Sequence, residues 1–444
     1  MNAIKKLEII KPIIEILIYI STFLLFLSIN VPQIEAVPEF RVIYNVHFGW
    51  FGITYVSSIL IFLLLLFYYF LFIQEPSKID RLIVFLFFIF VAVISFNGGR
   101  TRNLFLYFLR MGPLIFLSRF YIKLNKINYL FLAIKLMTIV QIIIILYSVF
   151  VTPLGIERVP NTHLFMVLHN GVNDLGRIMG TIGHPLVLAV FFLPGTIIWF
   201  YEILNETTLK RKILPIFGFL LAVYCVFLTF TRGTWLVLSF IMFLIIIESG
   251  AIKRILQLLK NLTVEKRRII FVLSILVISS LVFLFFPTIQ TVIARFGMTT
   301  ADDYSVSHRL EMLTWVIYHV SNNRNILIFG NGIGNTGTFL RMHPPSTNFF
   351  AVDNQYFTFL FEYGIIGFSA IMSLLFISLH RSYLSKESRM IFYVLLAMMM
   401  NAFTFELVSF YQVAMPFWLF VGLAIQSPRV NRNKNECIED VLLE

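Results

Sequence analysis

Three arginines lie in short polar segments next to long apolar runs, where a guanidinium group could hold an anion. Arg177 occurs in GRIMGTIGHP, Arg232 in TFTRGTWL and Arg309 in SHRLEML. A planar guanidinium donates to two phosphate oxygens at once, whereas lysine offers a compact point charge. The residue type and its placement therefore indicate a site for a phosphorylated ligand.

Two of these arginines also have an ordinary explanation. Arg232 occupies a tight turn between two apolar runs, so its charge either holds an anion at the membrane surface or snorkels to lipid phosphates. Arg309 lies at the expected start of a helix, whose free N–H groups would complete an anion site. Alternatively, Arg309 is a solvated residue on the polar face of that helix.

The candidate proton acceptors lie in other segments. Asp353, in AVDNQYF, either takes a proton from a hydroxyl group or caps the helix that follows it. His343 is the other candidate base, because an imidazole titrates near neutral pH, although a lone loop histidine is more often structural. His184 would titrate or cap the helix that starts at Pro185, and we interpret it as the cap. Glu362 lies deeper in its helix and is expected to pair within the bundle.

Neither a metal site nor a nucleotide site is indicated. The predicted outer loops contain no cluster of His, Cys, Asp and Glu at metal-ligand spacing, and Asp302 and Asp303 alone form a weak pair. The glycines of FGNGIGNTG have no βαβ pattern around them, so a nucleotide-binding loop is rejected. We therefore expect a reaction without metal or other cofactor, and nothing in the sequence suggests nucleic-acid binding.

The composition places these residues in a membrane protein. Of the 444 residues, 59% are hydrophobic and only 13% are charged, which is too few charges to solvate the surface of a soluble domain. The apolar residues also occur in long runs. The expected fold class is all-α: a polytopic membrane helical bundle of about twelve transmembrane helices, with a long extracytoplasmic loop that contains surface helices.

The chain is expected to form a single integral membrane domain over residues 1–444, without a large soluble catalytic domain. The predicted transmembrane helices span residues 12–31, 49–73, 82–97, 103–118, 128–151, 185–203, 213–230, 234–249, 268–287, 355–380, 389–407 and 411–426. Two outer loops are longer than a connection requires, 152–184 and 288–354, and we expect the second to contribute to the active site.

The basic residues predict the orientation in the membrane. Of the 35 Lys and Arg residues, 23 fall in loops on the side of the N-terminus and 10 in loops on the other side, so both termini are expected in the cytoplasm. All ten outer residues are arginine, although the chain has fourteen lysines. This asymmetry favours an outer phosphate site, unless translocated loops simply avoid lysine.

The long outer loop contains a stretch with helical periodicity. Its apolar residues recur at helical spacing, with Ser307 as the expected cap: Met312, Leu313, Val316 and Val320. We expect this helix to lie along the outer surface of the membrane, with Trp315 and Tyr318 at the level of the headgroups.

Four segments, in order along residues 170–370, resemble the superfamily of Wzy/WaaL-type O-antigen polymerases and O-antigen ligases. GRIMGTIGHPLVLAVFFLP resembles the start of one of the family's transmembrane helices, and TRGTWL its S/T-R-G turn. SHRLEMLTWVIYHVSNNRNILIFGNGIG resembles its helix followed by a glycine-rich turn. DNQYFTFLFEYGIIG resembles its segment with an acidic residue or His, then Asn, and then E-x-G.

This resemblance implies a glycosyltransferase at the outer face of the bacterial cytoplasmic (inner) membrane, with a glycan on undecaprenyl pyrophosphate as donor. An acceptor hydroxyl attacks the anomeric carbon and the lipid pyrophosphate leaves, without nucleotide sugar, metal or other cofactor. Pyrophosphate binding carries over to Arg232 and Arg309, and less directly to Arg177. The expected partners are undecaprenyl-pyrophosphate-linked glycans and membrane lipids, and the resemblance also allows a chain-length regulator and a flippase.

The chain departs from the ligase pattern at one position. Ligases of the superfamily show His-Asn where this chain has Asp353 and Asn354, so either Asp353 is the base or His343 reaches the site from ten residues earlier. An acidic residue resembles the polymerase branch more closely. We therefore predict a repeat-unit polymerase for surface polysaccharide: O-antigen of lipopolysaccharide, capsule or exopolysaccharide.

Two alternatives to a polymerase stay open. One is an O-antigen ligase that transfers the glycan to lipid A core or another final acceptor. The other, which we favour less, is a flippase for lipid-linked oligosaccharides. A flippase should have charged residues along a central path and related halves, whereas here Arg110 and Lys135 are nearly the only cations within predicted helices.

Overall fold

The computed structural model describes residues 2–28, 53–72, 101–150, 155–158, 165–168, 177–182, 184–206, 208–284, 290, 304–345 and 351–426. Fifteen α-helices have both ends within these residues. They are α1 Asn2–Ser28, α2 Ile53–Phe72, α3 Thr101–Lys123, α4 Ile127–Phe150, α5 Pro185–Asn205, α6 Leu209–Leu228, α7 Arg232–Glu248, α8 Ala251–Asn261, α9 Val264–Leu284, α10 Tyr304–Asn322, α11 Arg324–Phe329, α12 Thr336–Met342, α13 Gln355–Leu384, α14 Arg389–Asn401 and α15 Tyr411–Gln426.

The helix positions agree with the apolar runs of the sequence. Eleven of the twelve predicted helices coincide with described ones, and the prediction at 82–97 lies outside the described residues. Five are long and apolar enough to cross a membrane: Ile10–Ser28 of α1, α4, α5, α6 and α13. The chain is therefore a helical membrane protein, while the predicted number of about twelve spans is not confirmed.

Two described features were not predicted. Strands β1, Gly155–Arg158, and β2, Phe165–Leu168, pair antiparallel in the predicted outer loop 152–184 of an otherwise helical structure. An antiparallel pair needs only a short connection and can therefore form within a loop. Helix α8 lies between α7 and α9, where no helix was predicted. It is short and contains both basic and apolar residues.

Helices α5 and α15 form the centre of the described bundle. Every residue of α15 is buried, including Trp418 and Phe420, and so are the residues of α5 from Val187 to Trp199. Helix α15 packs against α3 and α13, and α5 packs against α6 and α14. Helices α1, α4 and α6 surround this centre less completely and keep exposed apolar faces, as expected of helices that contact lipid.

Helix α10 confirms the helical periodicity of the long outer loop but corrects three details. Met312, Val316 and Val320 are buried as that spacing predicts. The helix begins at Tyr304, so Ser307 lies within it and Arg309 lies in its second turn, away from the free N–H groups of its start. Trp315 is only 9% exposed and donates from Nε1 to the carbonyl of His343 (2.9 Å), so it is packed inside the protein. Tyr318 is 63% exposed.

Helix α13 is interrupted at Gly364, whose φ of 62° and ψ of −174° are not helical. The glycine-rich turn after α11 packs backbone against backbone at this break: Asn331 N–H donates to the carbonyl of Phe361 (2.8 Å) and Gly332 N–H to that of Glu362 (3.0 Å). These bonds satisfy carbonyls that the interrupted helix leaves without partners. The glycines of FGNGIGNTG thus serve close backbone approach, in place of the nucleotide-binding role rejected above.

Gly330→Ala is expected to destabilise the protein, whereas Gly337→Ala is not. Gly330 has a φ of +83°, and a Cβ there would overlap the backbone of Glu362. The positive φ alone costs a residue with a side chain roughly 1–3 kcal/mol. Gly337 lies in α12 with nothing described within 4 Å of its Cβ position, so alanine there should stabilise by about 0.5–1 kcal/mol. The measurement is the thermal unfolding midpoint of each solubilised variant. Equal midpoints for Gly330→Ala and Gly337→Ala would contradict the proposed backbone contact.

Candidate functional site

Asp353 lies immediately before α13 in an unusual backbone conformation. Its φ of +51° is in the left-handed region, which is uncommon for a non-glycine residue, although aspartate adopts it more readily than most. The cap of α13 is the next residue: the side chain of Asn354 accepts from the N–H groups of Tyr356 (3.0 Å) and Phe357 (3.2 Å). The capping interpretation of Asp353 is therefore wrong, which leaves its carboxylate without a structural role at the helix start.

The Asp353 carboxyl is close to Arg309 of α10. Burial raises the pKa of Asp353 above its usual value, and the positive charge of Arg309 opposes part of this rise. The Nε of Arg309 is buried and has no hydrogen-bond partner among the described residues. Because buried donors are normally paired, this N–H is available to an incoming anion.

The preceding residue ties the same turn of α10 to the Asp353 segment. His308 is 2% exposed, and burial lowers its pKa, while a hydrogen bond with the backbone of Ala351 opposes that effect. This contact fixes the second turn of α10 two residues before Asp353. It explains why Arg309, which follows His308, lies near the carboxylate.

The connection between α14 and α15, residues 402–410, binds the other side of the Asp353 segment. Asn354 Nδ2 donates to the carbonyl of Phe403 (3.0 Å), and the N–H of Gln355 donates to that of Ala402 (2.8 Å). The Gln355 side chain accepts from the N–H of Val408 (2.7 Å). Two consecutive residues after Asp353 are thus bound to connection 402–410.

Glu406 is the acidic residue within this connection. Its Oε1 accepts from the N–H of Val352 (2.8 Å) and from Thr358 Oγ1 (3.2 Å). Burial raises the pKa of Glu406, the N–H of Val352 opposes this rise, and the charge of Asp353 adds to it. Two carboxyl groups therefore lie near each other, one of them engaged in hydrogen bonds to the backbone.

Connection 402–410 also adjoins the start of α7, where Arg232 is the first helical residue. Thr234 Oγ1 donates to Oδ1 of Asn401 (2.8 Å), and both side chains are buried. A Cβ on Gly233 would lie 3.4 Å from Oγ1 of Thr404. The turn that carries Arg232 is therefore held against the same connection that holds the Asp353 segment.

Arg177 shapes the turn between α6 and α7. Its Nε donates to the carbonyl of Thr229 (2.9 Å) and its Nη2 to Oγ1 of Thr231 (3.1 Å). Between these two threonines, Phe230 has a φ of +50°, which needs such support. Two guanidinium groups of the chain thus meet at one turn, with Arg177 binding the turn directly and Arg232 beginning the helix after it.

His184 lies at the N-cap position of α5, as interpreted from the sequence, but its side chain makes no capping hydrogen bond. Its ring instead lies near those of Phe405 (6.4 Å between centroids, stacked) and Phe410 (5.8 Å). Both phenylalanines belong to connection 402–410. His184 is therefore a neighbour of the same connection.

His343 lies elsewhere. It is exposed, and its ring is 4.5 Å from that of Phe339 and 5.5 Å from that of His319. His319 follows Arg309 by ten residues on α10, which corresponds to about 15 Å of helix. The structure therefore groups His343 with His319 and Phe339.

Glu362 makes its hydrogen bond to α12, and it lies near enough to Glu406 for the two charges to interact. It is 3% exposed, and its Oε1 accepts from Thr336 Oγ1 (2.7 Å) at the start of α12. This contact agrees with the sequence-based expectation of a partner inside the protein. It joins α12 to the interrupted part of α13.

The structure thus gathers most of the sequence-based candidates at one end of the bundle, around connection 402–410. They are Arg177, Arg232, Arg309, Asp353, Asn354 and His184. Sequence reasoning missed Glu406, although a single acidic residue in the apolar stretch NAFTFELVSF was a signal, because a charge near the hydrocarbon needs a reason. Within the described residues, no group of three or more His, Cys, Asp or Glu could hold a metal ion.

Residues 217–372 match the family model Wzy_C, described as O-antigen ligase. The resemblance to the O-antigen polymerase and ligase superfamily is thereby confirmed. The matched range contains Arg232, Arg309 and Asp353, whereas Arg177, His184 and connection 402–410 lie outside it. A comparison with curated proteins gives no significant match.

The Wzy_C match implies glycan transfer of the O-antigen ligase or polymerase type. Members of the family are glycosyltransferase-like enzymes of glycan assembly. The match therefore supports a membrane enzyme of polysaccharide synthesis, with Arg232, Arg309 and Asp353 of the matched range at one end of its bundle.

Proposed function

We propose that this protein is a polymerase that joins undecaprenyl-pyrophosphate-linked repeat units into a surface polysaccharide: O-antigen, capsule or exopolysaccharide. It would transfer the growing glycan from its lipid pyrophosphate to the non-reducing end of another lipid-linked unit. The observation that carries this proposal is that connection 402–410 holds both the Asp353 segment and the turn of Arg232, with the charge of Arg309 near enough to act on the Asp353 carboxyl. A proton acceptor and two cations then serve one reaction.

The proposed reaction is a single displacement. The acceptor hydroxyl oxygen forms a bond to the anomeric carbon, the bond from that carbon to the pyrophosphate oxygen breaks, and Asp353 takes the hydroxyl proton. Arg232 and Arg309 would stabilise the negative charge that develops on the leaving pyrophosphate. Arg177 contributes by holding the turn of Arg232 through Thr229 and Thr231. One displacement inverts the anomeric configuration, and a covalent glycosyl enzyme would contradict it.

The membrane setting supports a lipid-linked donor. Helices α1, α4 and α6 expose apolar residues along their length, so a polyprenyl chain can approach the site from within the bilayer. By the distribution of basic residues, the site would face the outside of the bacterial cytoplasmic membrane, with both termini in the cytoplasm. The reaction is proposed to need no metal or other cofactor, and a chain-length regulator and a flippase would be its protein partners.

An O-antigen ligase is the second candidate, because the matching family model carries that description. The two reactions share the donor and differ only in the acceptor. We favour the polymerase because Asp353 and Asn354 stand where ligases of the superfamily show His-Asn. Transport by a flippase is less favoured, because the arginines of the site lie at one end of the bundle and not along a path through it.

Deleting the gene in its host tests the proposal. Surface glycans and lipid-linked oligosaccharides are extracted and separated on a gel, with a strain that carries the gene on a plasmid as control. We expect the glycan ladder to vanish while single repeat units remain. Long chains that accumulate on undecaprenyl pyrophosphate would instead identify a ligase, and an unchanged ladder would contradict both functions.

A further inference from the structure

The left-handed backbone at Asp353 is held by its neighbours on both sides. Its φ of +51° turns the chain sharply just before α13, so these contacts set where the carboxylate lies. On the C-terminal side, Asn354 and Gln355 are bound to connection 402–410. On the N-terminal side, the N–H of Val352 is bound to Glu406. The carboxylate of Asp353 thus depends on hydrogen bonds made by the residues on either side of it.

Glu406 makes the contact on the N-terminal side with a single oxygen. Its Oε1 accepts from both Val352 N–H (2.8 Å) and Thr358 Oγ1 (3.2 Å), so it joins the residue before Asp353 to the first turn of α13. Val352 is 1% exposed, and its side chain packs in the same cluster as Trp315 of α10. Loss of the acceptor would therefore leave a buried N–H without a partner, next to Asp353.

We propose that Glu406 is a positioning residue for glycan transfer, which holds Asp353 beside Arg309 by accepting the N–H of Val352. This proposal rests on the proposed function, in which Asp353 is the base. Glu406 lies beyond residue 372, where the family match ends, so the match assigns it no role. Its action is indirect, because the group that it binds is the backbone and not the substrate.

The contact with Val352 requires an acceptor oxygen at position 406, which a charged and a neutral side chain can both supply. Burial and the charge of Asp353 both raise the pKa of Glu406. A glutamine side chain has the same length and keeps a carbonyl oxygen for Val352, whereas methionine has a similar length but only a weak acceptor. The two variants therefore separate the hydrogen bond from the charge.

Glu406→Gln and Glu406→Met are compared in membranes of the deletion strain, with a purified lipid-linked repeat unit as substrate. We expect Glu406→Gln to keep kcat within about threefold of the wild type, since its amide oxygen still accepts from Val352. Glu406→Met should lower kcat by roughly ten- to a hundredfold, as expected for a misplaced catalytic group. KM for the donor should stay within about twofold, because Arg232 and Arg309 keep their places.

Glu387→Met is the matched control, because Glu387 is exposed in the connection between α13 and α14, at the other end of these helices. It should behave like the wild type. Equal losses in Glu406→Gln and Glu406→Met at normal abundance would overturn the proposal, as would full activity of Glu406→Met. If Glu406→Met does not accumulate, the Glu406→Gln result decides: retained kcat supports the proposal and loss of kcat overturns it.

A double variant separates positioning from a general structural role. If Glu406 acts through Asp353, Glu406→Met should lower kcat no further in an Asp353→Asn background. An additional tenfold loss there would contradict action through Asp353. The wild type is measured in the same assay, so a failure of the proposed function is distinct: the wild type itself would then join no repeat units.

Discussion

Asp353→Asn is expected to lower glycan transfer by about 10²- to 10⁴-fold, the usual contribution of a general base. Asparagine has the same shape but cannot take the hydroxyl proton. The Asp353→Asn variant should be as abundant in the membrane as the wild type. The cap of α13 is Asn354, and connection 402–410 binds the neighbouring residues, so the substitution removes none of these contacts. The measurement is joining of lipid-linked repeat units at equal protein amounts.

His343→Ala is the comparison variant, since sequence reasoning left His343 as the alternative base. Its ring is exposed and grouped with Phe339 and His319, so we expect near wild-type activity. The opposite pattern, with full activity in Asp353→Asn and none in His343→Ala, would assign the base to His343. Full activity in both variants would discard the proposed acid–base chemistry.

The pH profile gives a second readout of Asp353. Burial raises its pKa above the usual range of aspartate, so kcat/KM should be constant at high pH and fall by about tenfold per unit below that raised pKa. Arg309 lowers the pKa, so the acid limb of residual activity in Arg309→Gln should move to higher pH. A limb that moves to lower pH would exclude Asp353 as the titrating group.

Arg232→Ala and Arg309→Ala should each lower transfer by about 10²- to 10³-fold, the range measured when one donor to a developing charge is removed. Lysine at either position keeps the charge but not the planar fork, so Arg232→Lys and Arg309→Lys should recover only part of the loss. Arg324→Ala is the matched control, because Arg324 is an exposed arginine at the start of α11.

The released product offers an independent measurement of the arginines. Undecaprenyl pyrophosphate should inhibit the wild type by occupying the site that the leaving group occupies. Its inhibition constant should rise in Arg232→Ala and Arg309→Ala but not in Asp353→Asn, whose change does not touch the pyrophosphate. If both arginine variants keep normal activity at normal abundance, the pyrophosphate clamp is wrong.

Local patterns predicted much of this molecule. Apolar runs long enough for a membrane predict most of the described helices, and helical spacing predicts the buried stripe of α10. The arginine segments and Asp353 were also visible, because charges next to apolar runs need a reason. Hydrophobicity and charge act through neighbours along the chain, so the sequence shows them directly.

The remaining features depend on contacts between distant segments. Nothing near Asp353 indicates that Glu406 binds the N–H before it. The break at Gly364 follows from the backbone approach of the turn at Gly330, and not from a helix breaker such as proline. Such pairings are set by tertiary packing, which single-sequence patterns do not encode.

The late position of connection 402–410 in the sequence also determines when the protein can become active during its synthesis. A ribosome makes Arg232, Arg309 and Asp353 long before it reaches Glu406. Until residues 402–410 have been made and inserted, the Asp353 segment and the turn of Arg232 lack the contacts that hold them together. A nascent chain would therefore remain inactive while most of its helices are already in the bilayer. It would gain activity only after α14, connection 402–410 and α15 have been inserted.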